Sequence, residues 1–415
     1  MRTADAESLD LAQYIRPGDL VVWGQGCAEP LALTEMLAAQ RASLGGVRCF
    51  HGVSRSAAVA AENCDYLSFA SYSGAGSNRA LAAAGYLDIL PAHYSELPEV
   101  LGAQVDVLLL AVPPARPDGS FGWGAGADYP ATLLGRARTV IAEVNDQLPD
   151  VAGGPALAPG DIDVAVPVSR PVPQTPPAPP RGTEDAIAAH VASLIPDGAT
   201  IQLGIGAIPS AIASRLRGHR DLGIHSGVIT DAVAELIEAG VVTGARKTID
   251  RGLAITGFLL GTQRLLELAG RNSAVQLRDT RYTHDPAVLA AQHRLVAINS
   301  ALEVDLTGSV NSETAAGRYV GAVGGATDFL RAAARADGGI PVIALPATAG
   351  PASRIVTQLT GPASQARADA GVIVTEYGVA DLRGCTLAQR RARMLAIAHP
   401  EHRAALEAAD RKEHS

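Results

Sequence analysis

The stretch ATIQLGIGAIPSAIASRLR, residues 199–217, decides the fold. TIQL (200–203) reads as a short buried strand. Gly204-Ile-Gly206 breaks it, and Ile208, Ala211, Ile212 and Leu216 then recur at helical spacing. A strand, a glycine-rich turn and a helix in direct succession form the opening of an α/β unit. The same order occurs upstream. Arg16-Pro17-Gly18-Asp19 precedes LVVW (20–23), then Gly24-Gln-Gly26-Cys-Ala-Glu-Pro30, then LALTEMLA (31–38), just as Ile195-Pro196-Asp197-Gly198 precedes the second copy. Further along, Phe50-His51-Gly52-Val53 matches Ile224-His225-Ser226-Gly227-Val228. The chain therefore reads as two copies of one α/β unit.

Working outward, further short apolar runs alternate with helical patterns: VLLLAVPP (107–114), VIAEVN (140–145), LVAINS (295–300), PVIALPA (341–347) and VIVTEYG (372–378). This alternation predicts two similar open α/β domains, each with a mostly parallel sheet covered by helices, and ligands beyond the carboxyl ends of the strands. Residues 169–182, SRPVPQTPPAPPRG, are too rich in proline for a helix or a central strand. They read as a linker or surface strap between an N-terminal domain, 1–168, and a C-terminal domain, 183–415.

A chain of 415 residues fits two domains, and its net charge of −8 argues against a nucleic-acid partner. The N-terminus lacks an apolar signal core and no apolar run is long enough for a membrane helix, so the expected location is the cytoplasm. The four cysteines, Cys27, Cys49, Cys64 and Cys385, stand singly, without metal or redox spacing. His399-Pro-Glu-His402 is interrupted by proline, so no metal is expected. No G-x-S-x-G elbow supports a serine hydrolase.

Chemistry concentrates in a few loops. Gly204 and Gly206 leave backbone amides bare at the start of a helix, where a phosphate or a developing oxyanion is favoured. A tight structural turn explains them equally well. Gly321, Gly324 and Gly325 precede a second amphipathic helix, TDFLRAAARA, in the same way. Glu303 and Glu313 lie in ALEVDLTGSVNSE (301–313), either as a catalytic base or, more simply, as solvated acids on a hairpin. TEYGVADLRG (375–384) places polar groups at the end of a buried strand.

These pieces together resemble the acetyl-CoA hydrolase/CoA-transferase family, which includes 4-hydroxybutyrate and butyrate–acetate CoA-transferases. The resemblance is carried by QLGIGAIPSAI (202–212), DLGIHSGVITDAVAELIEAGVVTGARK (221–247), INSALEVDLTGSVNSE (298–313), VGAVGGATDFLRAA (320–333), IALPATAGPASRIV (343–356) and VTEYGVADLRG (374–384). PPARPDGSFGWGAGADY (113–129) and VIAEVNDQLP (140–149) extend it into the first half. It implies tandem α/β domains with the active site between them, coenzyme A as carrier in the form of an acyl-CoA substrate, a small carboxylic acid as acceptor, and usually a homo-oligomer. It also implies a glutamate that attacks the thioester and carries CoA as a glutamyl thioester.

The family pattern His-Ser/Thr-Glu-Met-x-Ser/Thr-Asp aligns with His225-Ser226-Gly227-Val228-Ile229-Thr230-Asp231, so glycine occupies the glutamate position. Ala326 likewise stands where the family has glutamine after its glycines. Three readings follow. Another acid, Asp231, Glu303 or Glu62, takes over; water or an acceptor attacks the thioester directly; or the chain binds acyl-CoA without turning it over. Arg354 and Arg383 are the expected cations for CoA phosphates, with a surface ion pair as the alternative. Gly227→Glu is expected to introduce or raise transferase activity.

Overall fold

The computed structural model describes residues 1–177 and 182–413. The chain divides into two compact units. The N-terminal unit comprises Met1–Pro176, Gly227–Ala234 and Ala254–Asp285; the C-terminal unit comprises Pro177–Ser226, Glu235–Leu253 and Pro286–Ser415.

The N-terminal unit carries a sheet ordered Arg2–Thr3, Val164–Val168, Thr139–Asn145, Val107–Val112, Leu20–Trp23, Val47–Phe50, Leu67–Ser71 and Leu87–Ile89, parallel throughout. Val107–Val112 is buried at every residue. A parallel strand covered on both faces requires that unbroken apolar run. Leu33, Leu37 and Leu44 of the helix Leu31–Leu44 pack with Val21, Trp23, Leu109 and Ile141 in one core.

In the C-terminal unit, Thr200–Leu203, Leu295–Ser300, Ile340–Ala344 and Val372–Thr375 lie side by side and parallel, the first residues of the strand Gly223–Ile229 pair parallel with Thr200–Leu203, and Gly378–Asp381 closes the edge antiparallel. The matching N-terminal order is Val47–Phe50, Leu20–Trp23, Val107–Val112, Thr139–Asn145 and Val164–Val168. The repeated sequence thus becomes a repeated topology. Ile208, Ala211, Ile212 and Leu216 are all buried, as their spacing predicts.

The chain crosses between units more than once, whereas a single boundary at the proline-rich segment is the sequence expectation. Long-range backbone hydrogen bonds explain why. Ala127 N donates to Gly257 O (3.0 Å), Leu259 N to Ala125 O (2.8 Å), Leu277 N to Ala152 O (2.8 Å) and Leu260 N to Ile229 O (3.0 Å). The first two fasten residues 257–259 to the glycine-rich loop around Trp123, and the others tie Leu277 to Ala152 and Leu260 to Ile229.

The first part of the proline-rich segment is a strap on the N-terminal unit. Asn145 Nδ2 donates to Arg170 O (3.0 Å), Arg170 pairs with Glu35 (2.9 Å), Val172 is buried, and Thr175 N donates to Gly261 O (2.8 Å). Residues 178–181 lie outside the described part, and the helix Gly182–Ala192 follows. Among the described residues no helix is long and apolar enough to cross a membrane.

Candidate active site

The glycine loop of the C-terminal unit is open. It leaves the strand Thr200–Leu203 and enters the helix Ala207–Arg215, with Gly206 as the helix cap. Gly206 has φ +126, a conformation that effectively requires glycine. A Cβ at Gly204 would meet its nearest atom, Ile298 O, only at 3.7 Å, and one at Gly206 would meet nothing within 4 Å. Ile205 between them is 47% exposed. Gly204 N–H donates to Ile298 O (3.2 Å), so it is not the bare amide the sequence suggests; the first N–H groups of the helix, which have no partner within it, are the donors suited to a negatively charged oxygen.

The second glycine loop is more constrained. Gly321 N donates to Glu313 O (2.9 Å) and Ala322 N to Ser312 O (3.1 Å). A Cβ at Gly321 would sit 1.9 Å from Ser312 O, so no other residue fits that backbone. Gly324 follows at φ +55, and Gly325 caps the helix Ala326–Arg335.

Of the acids considered as a base or replacement nucleophile, Glu303, Glu313 and Asp231 already hold donors. Glu303 accepts from Asn311 Nδ2 (2.8 Å), Thr360 N (2.7 Å), Thr360 Oγ1 (2.8 Å) and Gly361 N (3.2 Å). Glu313 accepts from Ser364 Oγ (2.7 Å) and Tyr319 Oη (2.9 Å). The expected hairpin exists, with Glu303–Asp305 antiparallel to Val310–Asn311, but both glutamates are buried rather than solvated. The strand Ile355–Val356 and the Thr360–Ser364 segment cover them. Asp231 accepts from Thr262 N (2.9 Å) and Thr262 Oγ1 (2.6 Å). Glu62 lies exposed on the short turn Ala61–Asn63.

Arg354 and Arg383 differ. Arg383 forms a two-pronged pair with Asp381, Nε to Oδ1 at 2.9 Å and Nη2 to Oδ2 at 2.7 Å, so an anion would have to compete for it. Arg354 is partly buried without such a pair; burial lowers its pKa, and nearby Glu376 opposes that shift.

Around Gly227, within the N-terminal unit, lies a polar cluster that spacing alone did not reveal. Asp128, with φ +43 and fully buried, accepts from Tyr94 Oη (2.6 Å), Gln25 Nε2 (2.5 Å) and Thr280 Oγ1 (3.0 Å). Gln25 Oε1 accepts from Tyr72 Oη (2.8 Å) and Val53 N (3.0 Å). Burial raises the Asp128 pKa, and its hydrogen bonds oppose that shift. Burial together with the Asp128 charge keeps Tyr94 a phenol.

His284 packs against Tyr94, with ring centroids 4.7 Å apart and planes tilted by 36°, and burial pushes its pKa down to about 3. Its imidazole is therefore neutral near pH 7. Thr283 Oγ1 lies 2.9 Å from His284 Nδ1 and 3.2 Å from Asp279 O. When that hydroxyl donates to Asp279 O, Nδ1 carries the ring proton and Nε2 offers a lone pair. A Cβ at Gly227 would lie 2.9 Å from His284 Cε1 and 3.2 Å from Nε2. The imidazole edge thus occupies the ground over which any side chain at 227 must pass.

The comparisons with known proteins agree with the fold. Residues 5–174 match the acetyl-CoA hydrolase/transferase N-terminal domain, and residues 261–409 match the C-terminal domain of the same name. A 4-hydroxybutyrate coenzyme A transferase of Clostridium kluyveri is 39% identical over 338 residues, covering 80% of this chain and 79% of that one. A succinyl-CoA:cyclohexane-1-carboxylate CoA transferase of Geobacter metallireducens is 30% identical over 412 residues, covering 97% and 94%. The crystal structure of RipA from Yersinia pestis superimposes with a TM-score of 0.94 at 32% identity, covering 100% of this chain and 98% of that chain. Two tandem domain matches and near full-length relatives leave one conclusion: the chain belongs to the acetyl-CoA hydrolase/transferase family and is an enzyme of that family.

Proposed function

We propose that this enzyme transfers CoA between an acyl-CoA thioester and a small carboxylic acid by direct attack of the acid on the thioester, without a glutamyl-CoA intermediate at position 227. The observation that carries this reading is the absence of a side chain at Gly227, combined with the packing of His284 against the point from which one would grow. Asp231, Glu303 and Glu313 are each held by at least two donors, which supports structural roles for them.

The steps balance without a protein nucleophile. The acceptor carboxylate attacks the acyl carbonyl and expels CoA thiolate, leaving a mixed anhydride. The thiolate then attacks the acceptor's carbonyl and releases the original acyl group as its carboxylate. Both attacks develop an oxyanion, and the helix N-terminus that follows Gly206 supplies donors suited to it, while Gly204 N–H is already committed to Ile298 O (3.2 Å). In other enzymes one such donor is worth about 2.7–4 kcal/mol and positioning about 7–11 kcal/mol, so substrate-to-substrate attack keeps most of the catalytic power available. Arg354 is the better placed of the two expected cations for a CoA phosphate, because Arg383 is already paired.

Initial-rate kinetics test the proposal. Direct attack requires both substrates bound together, so double-reciprocal plots at several acid concentrations intersect. Parallel lines would restore a covalent carrier. Release of free CoA at the same rate with and without acid would make water the acceptor and end the transfer reading.

A further inference from the structure

We propose that the C-terminal unit contains a second anion site, at the entry ends of its strands, built to hold a small phosphate-type anion. Asp197, Gly198, Arg246, Arg251, His293 and Arg294 line a cavity of about 280 Å³. Asp197-Gly198 leads into the strand Thr200–Leu203, and His293-Arg294 leads into its parallel neighbour Leu295–Ser300. The cavity therefore lies at the opposite end of these strands from Gly204–Gly206.

The charge in the cavity is unbalanced. Among the described residues, none of the three guanidiniums has a carboxylate within ion-pair distance. Among the described residues, Arg294 Nη1 reaches only Asp197 O (3.4 Å), Arg251 Nε reaches only Lys247 O (3.3 Å), and no hydrogen bond engages the Arg246 side chain. The one acid in the lining, Asp197, is already taken by Arg220, whose N–H donates to Oδ1 at 2.9 Å and whose Nε lies 3.7 Å from Oδ2. His293 Nδ1 faces the exposed Asp337 carboxylate at 3.6 Å.

Three like charges facing one space repel each other, weakly because they are exposed, and an anion placed among them relieves that repulsion. The backbone also holds them there. Arg294 has φ +49, an uncommon conformation for a residue with a side chain. The stems of Arg246 and Arg294 rest on glycines, since a Cβ at Gly198 would come within 3.1 Å of Arg246 Cγ and one at Gly338 within 3.0 Å of Arg294 Cγ.

Guanidinium groups match phosphate oxygens with paired donors, and several around one cavity suit an anion of more than one charge. The volume suits a phosphate or pyrophosphate group rather than a whole nucleotide. Such a group comes either as the free anion or as the phosphorylated end of a larger molecule left outside the cavity.

Isothermal titration of the full chain with inorganic pyrophosphate, at fixed ionic strength, tests the site. The expected result is saturable binding that weakens at least tenfold in Arg246→Gln and in Arg294→Gln, with unchanged circular dichroism. Arg294→Lys is expected to recover only part of the loss, because an ammonium lacks the fork. Displacement of pyrophosphate by CoA but not by dephospho-CoA would identify a nucleotide's terminal phosphate as the source; displacement by neither would identify the free anion. Absence of saturable binding at millimolar pyrophosphate, or binding indifferent to both glutamine variants, overturns the proposal.

Discussion

The two glycine loops began as one sequence pattern and have become opposites. Gly24–Pro30 is buried at every residue, and a Cβ at Gly24 would lie 2.8 Å from Ala28 O. Glu29 fastens that loop by accepting from Ser54 Oγ (2.5 Å), Arg55 N (2.5 Å), Ser56 N (3.1 Å) and Trp23 Nε1 (3.2 Å). At the matching position of the other copy, Gly204 has room for a side chain and its neighbour Ile205 is exposed. The first loop spends its glycine on packing, while the second leaves space for a ligand. A glycine motif is therefore not evidence of a binding site until its surroundings are known.

This contrast can be broken in several ways. The largest expected effect is on ligand binding in the C-terminal unit. Gly325→Leu is expected to lower acyl-CoA affinity at least ~100-fold, about 2.7 kcal/mol, in a protein that still folds; unchanged affinity by titration would remove the Gly321–Gly325 loop from the site. Next comes the matched glycine pair. Gly24→Ala drives a methyl into backbone and is expected to cost about 1–3 kcal/mol in urea unfolding. Gly204→Ala is expected to cost under about 0.5 kcal/mol while reducing turnover. Equal losses of stability would abolish the distinction between the loops.

A sharper test concerns Gly227. A glutamate introduced alone places its Cβ against the buried His284, so Gly227→Glu is expected to gain little. Gly227→Glu combined with His284→Ala is expected to yield a hydroxylamine-sensitive enzyme, detected by loss of activity after incubation with acyl-CoA. An equally strong gain in the single variant would show that the imidazole yields easily.

The smallest expected signal is a slope. Burial raises the Glu29 pKa from 4.5 to about 7, against its hydrogen bonds. A carboxyl that binds its proton more tightly when folded supports the fold below the unfolded pKa, and that support fades as pH rises through about 7. Wild type is therefore expected to lose stability between pH 4.5 and 7 relative to Glu29→Gln; parallel pH curves from denaturant unfolding would count against that role.

Much of the architecture was legible because parallel strands buried on both faces must be continuously apolar. VLLLAV and LVAINS announce themselves in that way. The division into units was not legible, because it depends on backbone pairs such as Leu277 to Ala152, far apart in sequence. The buried state of Glu303 and Glu313 was hidden for the same reason, since Thr360 and Ser364 arrive from a distant segment. Gln25, Tyr94, Asp128 and His284 share no spacing at all. Only Asp128, within the glycine-rich PPARPDGSFGWGAGADY stretch, and Gln25, within a glycine loop, lay in segments marked as unusual.

The central claim is that the attacking carboxylate comes from the substrate. Intact-mass spectrometry after incubation with acyl-CoA, with no acceptor acid and with borohydride present, tests it most directly. The account predicts an unchanged protein mass. Reduction of a single glutamate or aspartate to its alcohol, mapped to any position in the chain, would contradict it.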